Sequence, residues 1–394
     1  MWARGRNRSS HQQSACDLIK WRTFASVNTD YDAAPDAPMP PGIPLFGSLE
    51  QTLGPWLASR AYEQVFVLCD ANTRALCLPV LCDDKKIGPL LPPQTHTYAI
   101  PAGERHKTPD TCMAVWRAMA EFGLRRNGLV LLLGGGVVGD LGGFCAETWA
   151  RGVDYVQVPT SLLALIDASV GGKTGVDLDG LKNAVGLFGK PQGVFADADF
   201  LRTLPERELR SGLAEAIKHA CIGRPDLLPA LCAPLASLSW PMLLPALVEV
   251  KARIVALDPF ERDLRRLLNF GHTIGHALET WFLRYAEDDE AALTHGEAVA
   301  LGMLLESRIA AGLDPSYAAL HDSLERLYAL HYAPVSLPRA ALAPIFALMR
   351  ADKKNADAGD PVMALPGPAP FTLRVMRIAE ADWARAAEQS AGIF

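Results

Sequence analysis

The sequence predicts an α/β protein in two parts, a nucleotide-binding domain with a parallel sheet followed by a mostly helical domain. Short apolar runs separated by helical stretches fill the first part, which is typical of strands buried on both faces of a parallel sheet. From about Thr203 the apolar residues recur with helical periodicity instead, and strand-like segments return only at PVMALP and FTLRVM. The cleft between the two domains is the expected position of a binding site.

The chain length and the N-terminal composition set the predicted domain boundaries. A chain of 394 residues is long enough for two domains. Residues 1–42 lack an apolar signal core, are basic at first and are then Pro-rich and acidic. We expect a flexible extension, or an overlong start, without its own fold, although a transit peptide can look similar. The α/β domain is placed at residues 43–203 and the helical domain at residues 204–394.

Composition and charge exclude several classes of function. The net charge of −6 disfavours nonspecific nucleic-acid binding, which needs a basic surface. No uncharged apolar run reaches the roughly 18 residues of a membrane-spanning helix. The eight cysteines are scattered without a Cys-x-x-Cys pair, which indicates reduced thiols. We therefore expect a cytoplasmic protein, and the net charge leaves room for a locally basic pocket that binds an anionic small molecule.

Three strands are predicted in the first domain, at VFVLCD (Val65–Asp70), GLVLLL (Gly128–Leu133) and YVQVPT (Tyr155–Thr160). Ligands of parallel sheets collect at the carboxyl ends of such strands. Asp70 ends the first of them and is therefore a candidate to contact the ribose of a nucleotide.

A glycine-rich turn, LGGGVVGDLGG, includes the end of the second strand. Gly134, Gly136 and Gly139 fit the G-x-G-x-x-G pattern, in which the backbone approaches a pyrophosphate at a helix N-terminus. The match is weak alone, because glycine-rich turns also serve packing. The sequence at this point favours a nucleotide site without proving one.

The next segment, DASVGGKTGVDLDGLKNAVG, is read as a glycine-rich loop. It contains Asp167, Lys173, Lys182 and Asn183, but its Gly-Gly-Lys-Thr lacks the P-loop spacing, so we reject a nucleoside-triphosphatase. Two lysines and an asparagine suit an anionic substrate, and the alternative is a solvated loop.

The helical domain contains the candidate metal ligands. His272 and His276 in LNFGHTIGHALET share one helix face. They could bind a metal together, divide metal binding and proton transfer between them, or be ordinary polar residues near the core. Glu215 and Lys218 could be a surface ion pair, and His295 could be structural. Three nitrogen or oxygen ligands with an open position are nevertheless the layout of a catalytic Zn²⁺ site.

Seven sequence blocks, taken together, resemble the 3-dehydroquinate synthase family of sugar phosphate cyclases. They occur in the family's order from about Ile43 to the C-terminus and read GGGVVGDLGGF, QVPTSLLALIDASVGGKTGV, LKNAVG, LRTLPERELRSGLAEAIKH, LRRLLNFGHTIGHALE, HGEAVALGM and DKKN. Each block is weak alone, whereas the ordered set is specific. Two mild departures, at Ala102 and Ser161, fall near the nucleotide.

The resemblance implies a ligand set for each part of the site. A divalent metal, Zn²⁺ or Co²⁺, would be bound by Glu215, His272 and His295, with His276 beside the substrate. Tightly held NAD would be surrounded by Asp70, Gly103, Glu104, Lys107, Gly135, Gly136, Val137, Val138, Gly139, Asp140, Thr160, Ser161, Lys173, Lys182, Phe200, Leu201, Arg202 and Thr203. The substrate pocket would be formed by Asp167, Lys173, Lys182, Asn183, Lys218, Lys251, Arg265, Asn269, His276 and Lys354.

The reaction implied by the resemblance converts 3-deoxy-D-arabino-heptulosonate 7-phosphate to 3-dehydroquinate in the shikimate pathway. The C5 hydroxyl is oxidised by NAD⁺, phosphate leaves, the hydride returns and an aldol step closes the ring. Lys173, Asn183 and Lys354 would bind the phosphate, and Lys251 and Arg265 the carboxylate. Asp167, Lys218 and His276 would organise hydroxyls and water. The alternatives are another sugar phosphate cyclase, a metal- and NAD-dependent polyol dehydrogenase, or a non-catalytic relative.

Arg151 in TWARGVDY is the last candidate. It precedes the strand Tyr155–Thr160 and so lies at the amino end, away from its own protomer's ligands. On position alone it would be a surface arginine. The resemblance instead implies that it reaches the substrate phosphate of the partner subunit in a homodimer, for which its planar guanidinium is suited.

Overall fold

The computed structural model describes residues 44–83, 86–179, 181–285, 292–351 and 359–389. The predicted extension at residues 1–42 and the predicted phosphate ligand Lys354 lie outside the described residues.

A six-stranded parallel sheet forms the first part of the fold. The chain's strands β1, β2, β3, β4, β5 and β8 build it in the spatial order β1-β8-β5-β4-β2-β3. Their bounds are Leu45–Phe46, Gln64–Asp70, Gln94–Ile100, Leu129–Gly134, Asp154–Pro159 and Gly193–Ala196. The predicted parallel sheet is confirmed. The three predicted strands correspond to β2, β4 and β5, and most of their ends differ from the prediction by one residue.

Both faces of the sheet are buried, as the continuous apolar runs predicted. In β2, Phe66 and Leu68 pack into one apolar cluster while Val65 and Val67 pack into another on the opposite face. The helices that accompany the sheet are α1 (Leu53–Ala58), α2 (Ala71–Leu76), α3 (Leu78–Leu81), α4 (Pro109–Phe122) and α5 (Gly136–Thr148).

The glycine-rich turn connects β4 directly to α5. Gly135 is the N-cap of α5, so the backbone N–H groups of the first helical turn follow the carboxyl end of β4. A side chain at Gly142 would place its Cβ 2.4 Å from Leu132, which shows that some of these glycines serve close helix–strand packing.

The predicted glycine-rich loop after Asp167 is wrong in part, because it contains an antiparallel hairpin of β6 (Lys173–Leu178) and β7 (Leu181–Phe188). The hairpin escapes prediction because β7 is exposed along almost its whole length and so lacks the apolar alternation of a half-buried strand. β6 packs on α5, and this long-range contact supports the hairpin.

The second part is mostly helical, as predicted. Its helices are α6 (Glu206–Gly223), α7 (Leu228–Leu231), α8 (Trp240–Leu257), α9 (His272–Tyr285), α10 (His295–Leu313), α11 (Ala318–His331), α12 (Leu342–Ala351) and α13 (Glu380–Gln389). The two predicted strands near the C-terminus pair as β9 (Val362–Pro366) and β10 (Leu373–Arg377). Among the described residues, no helix combines the length and apolar character needed to cross a membrane.

Candidate active site

Three helices bring Glu215, His272 and His295 together. Glu215 lies in the middle of α6, while the histidines are the first residues of α9 and α10. One potential ligand atom from each lies within 4.8 Å of the other two. The Nε2 atoms of His272 and His295 are 3.6 Å and 3.7 Å from Oε1 of Glu215. Three donors therefore converge from separate elements onto one position.

The second ring nitrogen of each histidine is already engaged. Nδ1 of His272 donates to the carbonyl oxygen of Phe270 at 3.1 Å, because a carbonyl can only accept. Nδ1 of His295 lies 3.4 Å from Oε2 of Glu279. These contacts orient both rings with Nε2 towards Glu215, and a metal would need that nitrogen to be unprotonated.

Glu215 is a fully buried carboxylate. Within the described residues neither of its oxygens accepts a hydrogen bond, although Lys218 forms an ion pair with Oε2. Burial opposes its ionisation, but the ammonium of Lys218 and the contact with His295 together outweigh burial and lower the pKa of Glu215. A buried carboxylate with unsatisfied oxygens beside two imidazoles fits a cation-binding site.

His276 lies beside the three candidate ligands. Its ring centroid is 5.1 Å from that of His272 and 5.9 Å from that of His295. A second ligand-competent group, of His276, Glu279 and His295, also forms here. His272 belongs to the first group and His276 to the second, which is compatible with the predicted division of labour between the two histidines of α9.

Glu279, which the sequence analysis did not single out, connects the histidines to the hairpin. Besides contacting His295, it accepts a 2.5 Å hydrogen bond from Nζ of Lys182. Burial opposes its charge, but contacts with His295 and Lys182 outweigh burial and hold the pKa of Glu279 well below its ordinary value. Burial likewise disfavours charge on His295, yet Glu215 and Glu279 raise its pKa to about 9. The spacing of seven residues from His272, two helical turns, could have revealed Glu279.

A second charged cluster surrounds Asp167. This residue lies on the π-helical turn Ala164–Ala168, a local irregularity often found at functional sites. Oδ1 of Asp167 is 3.0 Å from Nζ of Lys251, 3.9 Å from Nζ of Lys218 and 3.5 Å from Nε2 of His219. Burial opposes ionisation, yet Lys251 and Lys218 hold the pKa of Asp167 well below its ordinary value. Lys218 joins this cluster to the Glu215 group, and His219 is a further residue that sequence reasoning missed.

The segment before α9 contains Arg265 and Asn269, and Lys173 of β6 reaches it through Glu261. Arg265 is almost fully buried and donates to the carbonyl of Pro259 at 2.6 Å. Glu261 accepts from Asn269 at 2.8 Å and from Lys173 at 2.5 Å, and this second carboxylate was also missed. Lys173, a predicted phosphate ligand, and Asn269, a predicted substrate-pocket residue, are thus both held by the carboxylate of Glu261.

On the nucleotide side, Lys107 links the glycine turn to the hairpin. Its Nζ donates to Asp140 at 2.6 Å and to Asn183 at 2.7 Å. Burial opposes the charge of Lys107, but Asp140 and Glu104 outweigh it and raise the pKa of Lys107. Four predicted NAD or substrate residues are therefore adjacent in space, namely Glu104, Lys107, Asp140 and Asn183.

The remaining nucleotide candidates lie at the carboxyl edge of the sheet. Asp70 caps α2 by accepting from the backbone of Asn72 and Thr73 at 2.8 Å and 2.9 Å. Thr160 and Ser161 follow β5 directly, and Phe200–Thr203 belongs to the 3₁₀ helix Ala198–Thr203. This is the edge at which parallel sheets bind ligands.

Arg151 lies at the opposite end of β5, as its position in the sequence predicts. It is exposed, and both it and Ala150 have positive φ angles, 63° and 50°. A cavity of about 480 Å³ next to it is lined by Gly152–Tyr155, Leu187–Lys190 and Gln192, together with Arg126 and Glu147, and includes none of the predicted site residues. Arg151 is therefore not brought to the site of its own chain.

Taken together, these groups can bind a cation through three N and O donors and a substrate with two anionic ends. Lys218 pairs with the candidate ligand Glu215, Lys251 lies beside Asp167, and the N-terminus of α5 follows the glycine turn.

Two profiles of one protein family match adjacent parts of the chain. The family profile described as 3-dehydroquinate synthase N-terminal matches residues 97–211, and the profile described as 3-dehydroquinate synthase C-terminal matches residues 212–355. The 3-dehydroquinate synthase of Xanthomonas oryzae pv. oryzae (strain MAFF 311018) is 50% identical over 270 residues, which cover 66% of this chain and 72% of that protein. That of Xylella fastidiosa (strain 9a5c) is 44% identical over 268 residues, covering 66% and 68%.

Solved structures with the same fold include two cyclases. A 2-epi-5-epi-valiolone synthase from Streptomyces hygroscopicus subsp. jinggangensis 5008, with NAD⁺ and Zn²⁺ bound, is 28% identical with a TM-score of 0.73 and covers 94% of this chain and 99% of that one. A 2-deoxy-scyllo-inosose synthase complexed with carbaglucose-6-phosphate, NAD⁺ and Co²⁺ is 24% identical with a TM-score of 0.71, covering 87% and 95%. The second likeness concerns the fold alone.

Proposed function

We propose that this chain, which belongs to the 3-dehydroquinate synthase family, converts 3-deoxy-D-arabino-heptulosonate 7-phosphate to 3-dehydroquinate and phosphate. Family membership gives the activity of a 3-dehydroquinate synthase, and the residue roles are our proposal. The observation that carries it is the convergence of Glu215, His272 and His295 among cationic side chains. The enzyme would be a carbon–oxygen lyase in aromatic amino acid biosynthesis.

Glu215, His272 and His295 would hold the metal, Zn²⁺ or Co²⁺. The donor set fits, because Glu215 is buried with unsatisfied oxygens and both histidines are oriented through Nδ1. When bound, the metal would polarise the hydroxyl to be oxidised and lower its pKa. The Zn²⁺ bound to the 2-epi-5-epi-valiolone synthase supports the choice of a divalent metal.

NAD would lie along the carboxyl edge of β4 and β5. Gly135 and Gly136 would let the pyrophosphate approach the N-terminus of α5, and Asp140 would hold Lys107 beside it. When bound, NAD⁺ would accept the hydride and later return it, chemistry that the protein's side chains cannot supply. The NAD⁺ bound to the 2-epi-5-epi-valiolone synthase supports this cofactor.

Cations would bind the two anionic ends of the substrate. Lys251 and Arg265, both nearly fully buried, would hold the carboxylate. Lys173 and Asn183 would bind the phosphate together with Lys354, and Lys182 would contribute from β7. Lys173 already donates to the carboxylate of Glu261, and Asn183 already accepts from Lys107. The substrate phosphate would therefore replace an existing polar partner of each side chain.

Asp167, Lys218 and His276 would organise the hydroxyls and exchange protons with them. Asp167 is held ionised by two lysines and can orient a hydroxyl or a water molecule. His276, beside the candidate ligand His272, would carry a proton during oxidation and reduction. A phosphate oxygen of the substrate would take the C6 proton during elimination.

Arg151 would complete the site of a partner subunit in a homodimer. It lies at the amino end of β5 while the nucleotide residues lie at the carboxyl end, so it is remote from its own site. A two-fold arrangement would place the Arg151 of each subunit at the substrate phosphate in the partner subunit's site, where a guanidinium can bind bidentately.

The function is tested by measuring phosphate release with substoichiometric NAD⁺. We expect many turnovers per NAD⁺ with 3-deoxy-D-arabino-heptulosonate 7-phosphate, no steady accumulation of NADH, and little activity with sedoheptulose 7-phosphate. Preference for sedoheptulose 7-phosphate would indicate a different cyclase. NADH formed in step with product from a polyol would indicate a dehydrogenase, and no phosphate release from either heptulose phosphate would indicate a non-catalytic relative.

A further inference from the structure

A buried glutamate outside the predicted site ties the two histidine-bearing helices together. Glu306 lies on α10, eleven residues after His295, and is fully buried. Its Oε2 accepts from the backbone N–H of Gly271 at 2.8 Å. Its Oε1 accepts from the N–H groups of Thr273 and Ile274 at 3.1 Å and 3.2 Å. One carboxylate on α10 therefore caps the beginning of α9.

The beginning of α9 requires such an acceptor from the protein. The first N–H groups of a helix have no partners within the helix, and water normally satisfies them when no side chain does. Thr273 is only 5% exposed and Ile274 is completely buried, so solvent has no ready access to these groups. Glu306 also places a negative charge at the positive end of the helix dipole.

The two helices meet in direct backbone contact at this point. Gly271 has a φ of 80°, and a Cβ on it would lie 2.4 Å from Cγ of Met303. A Cβ on Gly302 would lie 2.0 Å from the carbonyl oxygen of Gly271. The crossing therefore leaves little room for sliding, and Glu306 fixes its register by three hydrogen bonds.

We propose that Glu306 is a positioning residue that sets His272 relative to His295. His272 stands between Gly271 and Thr273, whose N–H groups Glu306 holds, while His295 begins the helix that carries Glu306. The carboxylate also offsets the positive end of α9, which would otherwise disfavour a cation at His272. This inference rests on the proposed metal centre.

The test compares two substitutions with a neighbouring control. Glu306→Gln keeps the size and one acceptor oxygen but removes the charge and turns an amide towards an N–H group, whereas Glu306→Ala removes every contact. Ser307→Ala is the control, because Ser307 is equally buried but bonds to the carbonyl of Leu304 and to His321 rather than to α9. Co²⁺ and Zn²⁺ affinities are measured on the full chain by competition with a chelator, well below every variant's melting temperature.

We expect both Glu306 variants to lose metal affinity by about tenfold or more, within the 10–100-fold range for residues that orient ligands. The visible absorption spectrum of the bound Co²⁺ should change as well, because its ligand geometry changes. Ser307→Ala should melt at a lower temperature with unchanged affinity and spectrum. If Glu306→Ala does not fold, Glu306→Gln decides.

Wild-type affinity and an unchanged Co²⁺ spectrum in Glu306→Gln would overturn the inference and leave Glu306 a stabilising residue alone. An equal loss of affinity in Ser307→Ala would overturn it too, since general destabilisation would then suffice. Absence of metal binding by the wild-type chain would refute the proposed metal centre and this inference with it, which separates the two failures.

Discussion

The candidate site has two sides that are held in place differently. The metal side contains the candidate ligands Glu215, His272 and His295, and the hairpin side contains Lys173 and Lys182 of β6 and β7. On the metal side, Glu215 is fully buried and His272 is 8% exposed, and buried groups fix the start of α9. On the hairpin side, the side chains of Lys173 and Lys182 are 51% and 36% exposed. One side is pre-organised by the core, whereas the other depends on polar contacts at the surface.

The difference indicates what each side does before the substrate arrives. A site for a metal gains affinity when its donors are already in place, because little order is lost on binding. The hairpin cations instead rest against the carboxylates Glu261 and Glu279. An anionic substrate would take the place of these carboxylates, so the ion pairs keep the cations oriented at little cost.

The largest effect is expected on the metal side, from His272→Ala. Removing one of three donors should abolish stoichiometric metal, measured by elemental analysis after dialysis, and activity should disappear with it. His276→Ala is the matched control one helical turn away. It should keep the metal and lose about 10²–10⁴-fold in kcat, the usual loss for a general acid–base group. If His276→Ala emptied the site while His272→Ala kept the metal, the two histidines would exchange roles.

A large effect of a different kind is expected at the subunit boundary. Arg151→Ala and Lys182→Ala homodimers should each be nearly inactive. In a mixed dimer the Arg151→Ala protomer keeps its own Lys182 and receives its partner's Arg151, so one of the two sites is whole and activity should return after subunit exchange. Doubly tagged, purified heterodimers provide the control. Heterodimers without activity would show that Arg151 acts within its own chain, and a fully active Arg151→Ala enzyme would make it a surface residue.

The contrast between the two sides also explains how far the sequence could predict the molecule. Strands β2, β4 and β5 are buried on both faces, so they are recognisable in the sequence as apolar runs. Helices α6, α9 and α10 show helical periodicity. The hairpin, whose strand β7 is exposed, has neither signal, because pairing between its strands and packing of β6 on α5 support it.

The residues around the site divide in the same way. The residue types of the candidate metal ligands could be recognised in the local sequence, but the choice of His272 over His276 depended on the family resemblance. Glu306 meets its partners on α9 and just before it from 32 to 35 residues away, and Glu261 receives Lys173 from 88 residues away. No local pattern encodes such contacts, which is why both glutamates were missed.

The smallest effect is expected on the hairpin side, from Glu261→Gln. The Lys173–Glu261 pair is partly exposed, so it contributes at most about 1 kcal/mol, and the free energy of unfolding should change by no more than that. Glutamine can still accept from Asn269 but no longer attracts Lys173, so the substrate phosphate meets less competition. We expect KM for the heptulosonate phosphate to fall by roughly two- to fivefold, corresponding to at most about 1 kcal/mol, and the difference to shrink at high ionic strength. Glu63→Gln, which removes the exposed partner of Arg125 at 3.6 Å, is the control and should leave KM unchanged. A rise in KM for Glu261→Gln would mean that the carboxylate holds Lys173 in its binding position rather than competing for it, and the hairpin side would then be pre-organised like the metal side.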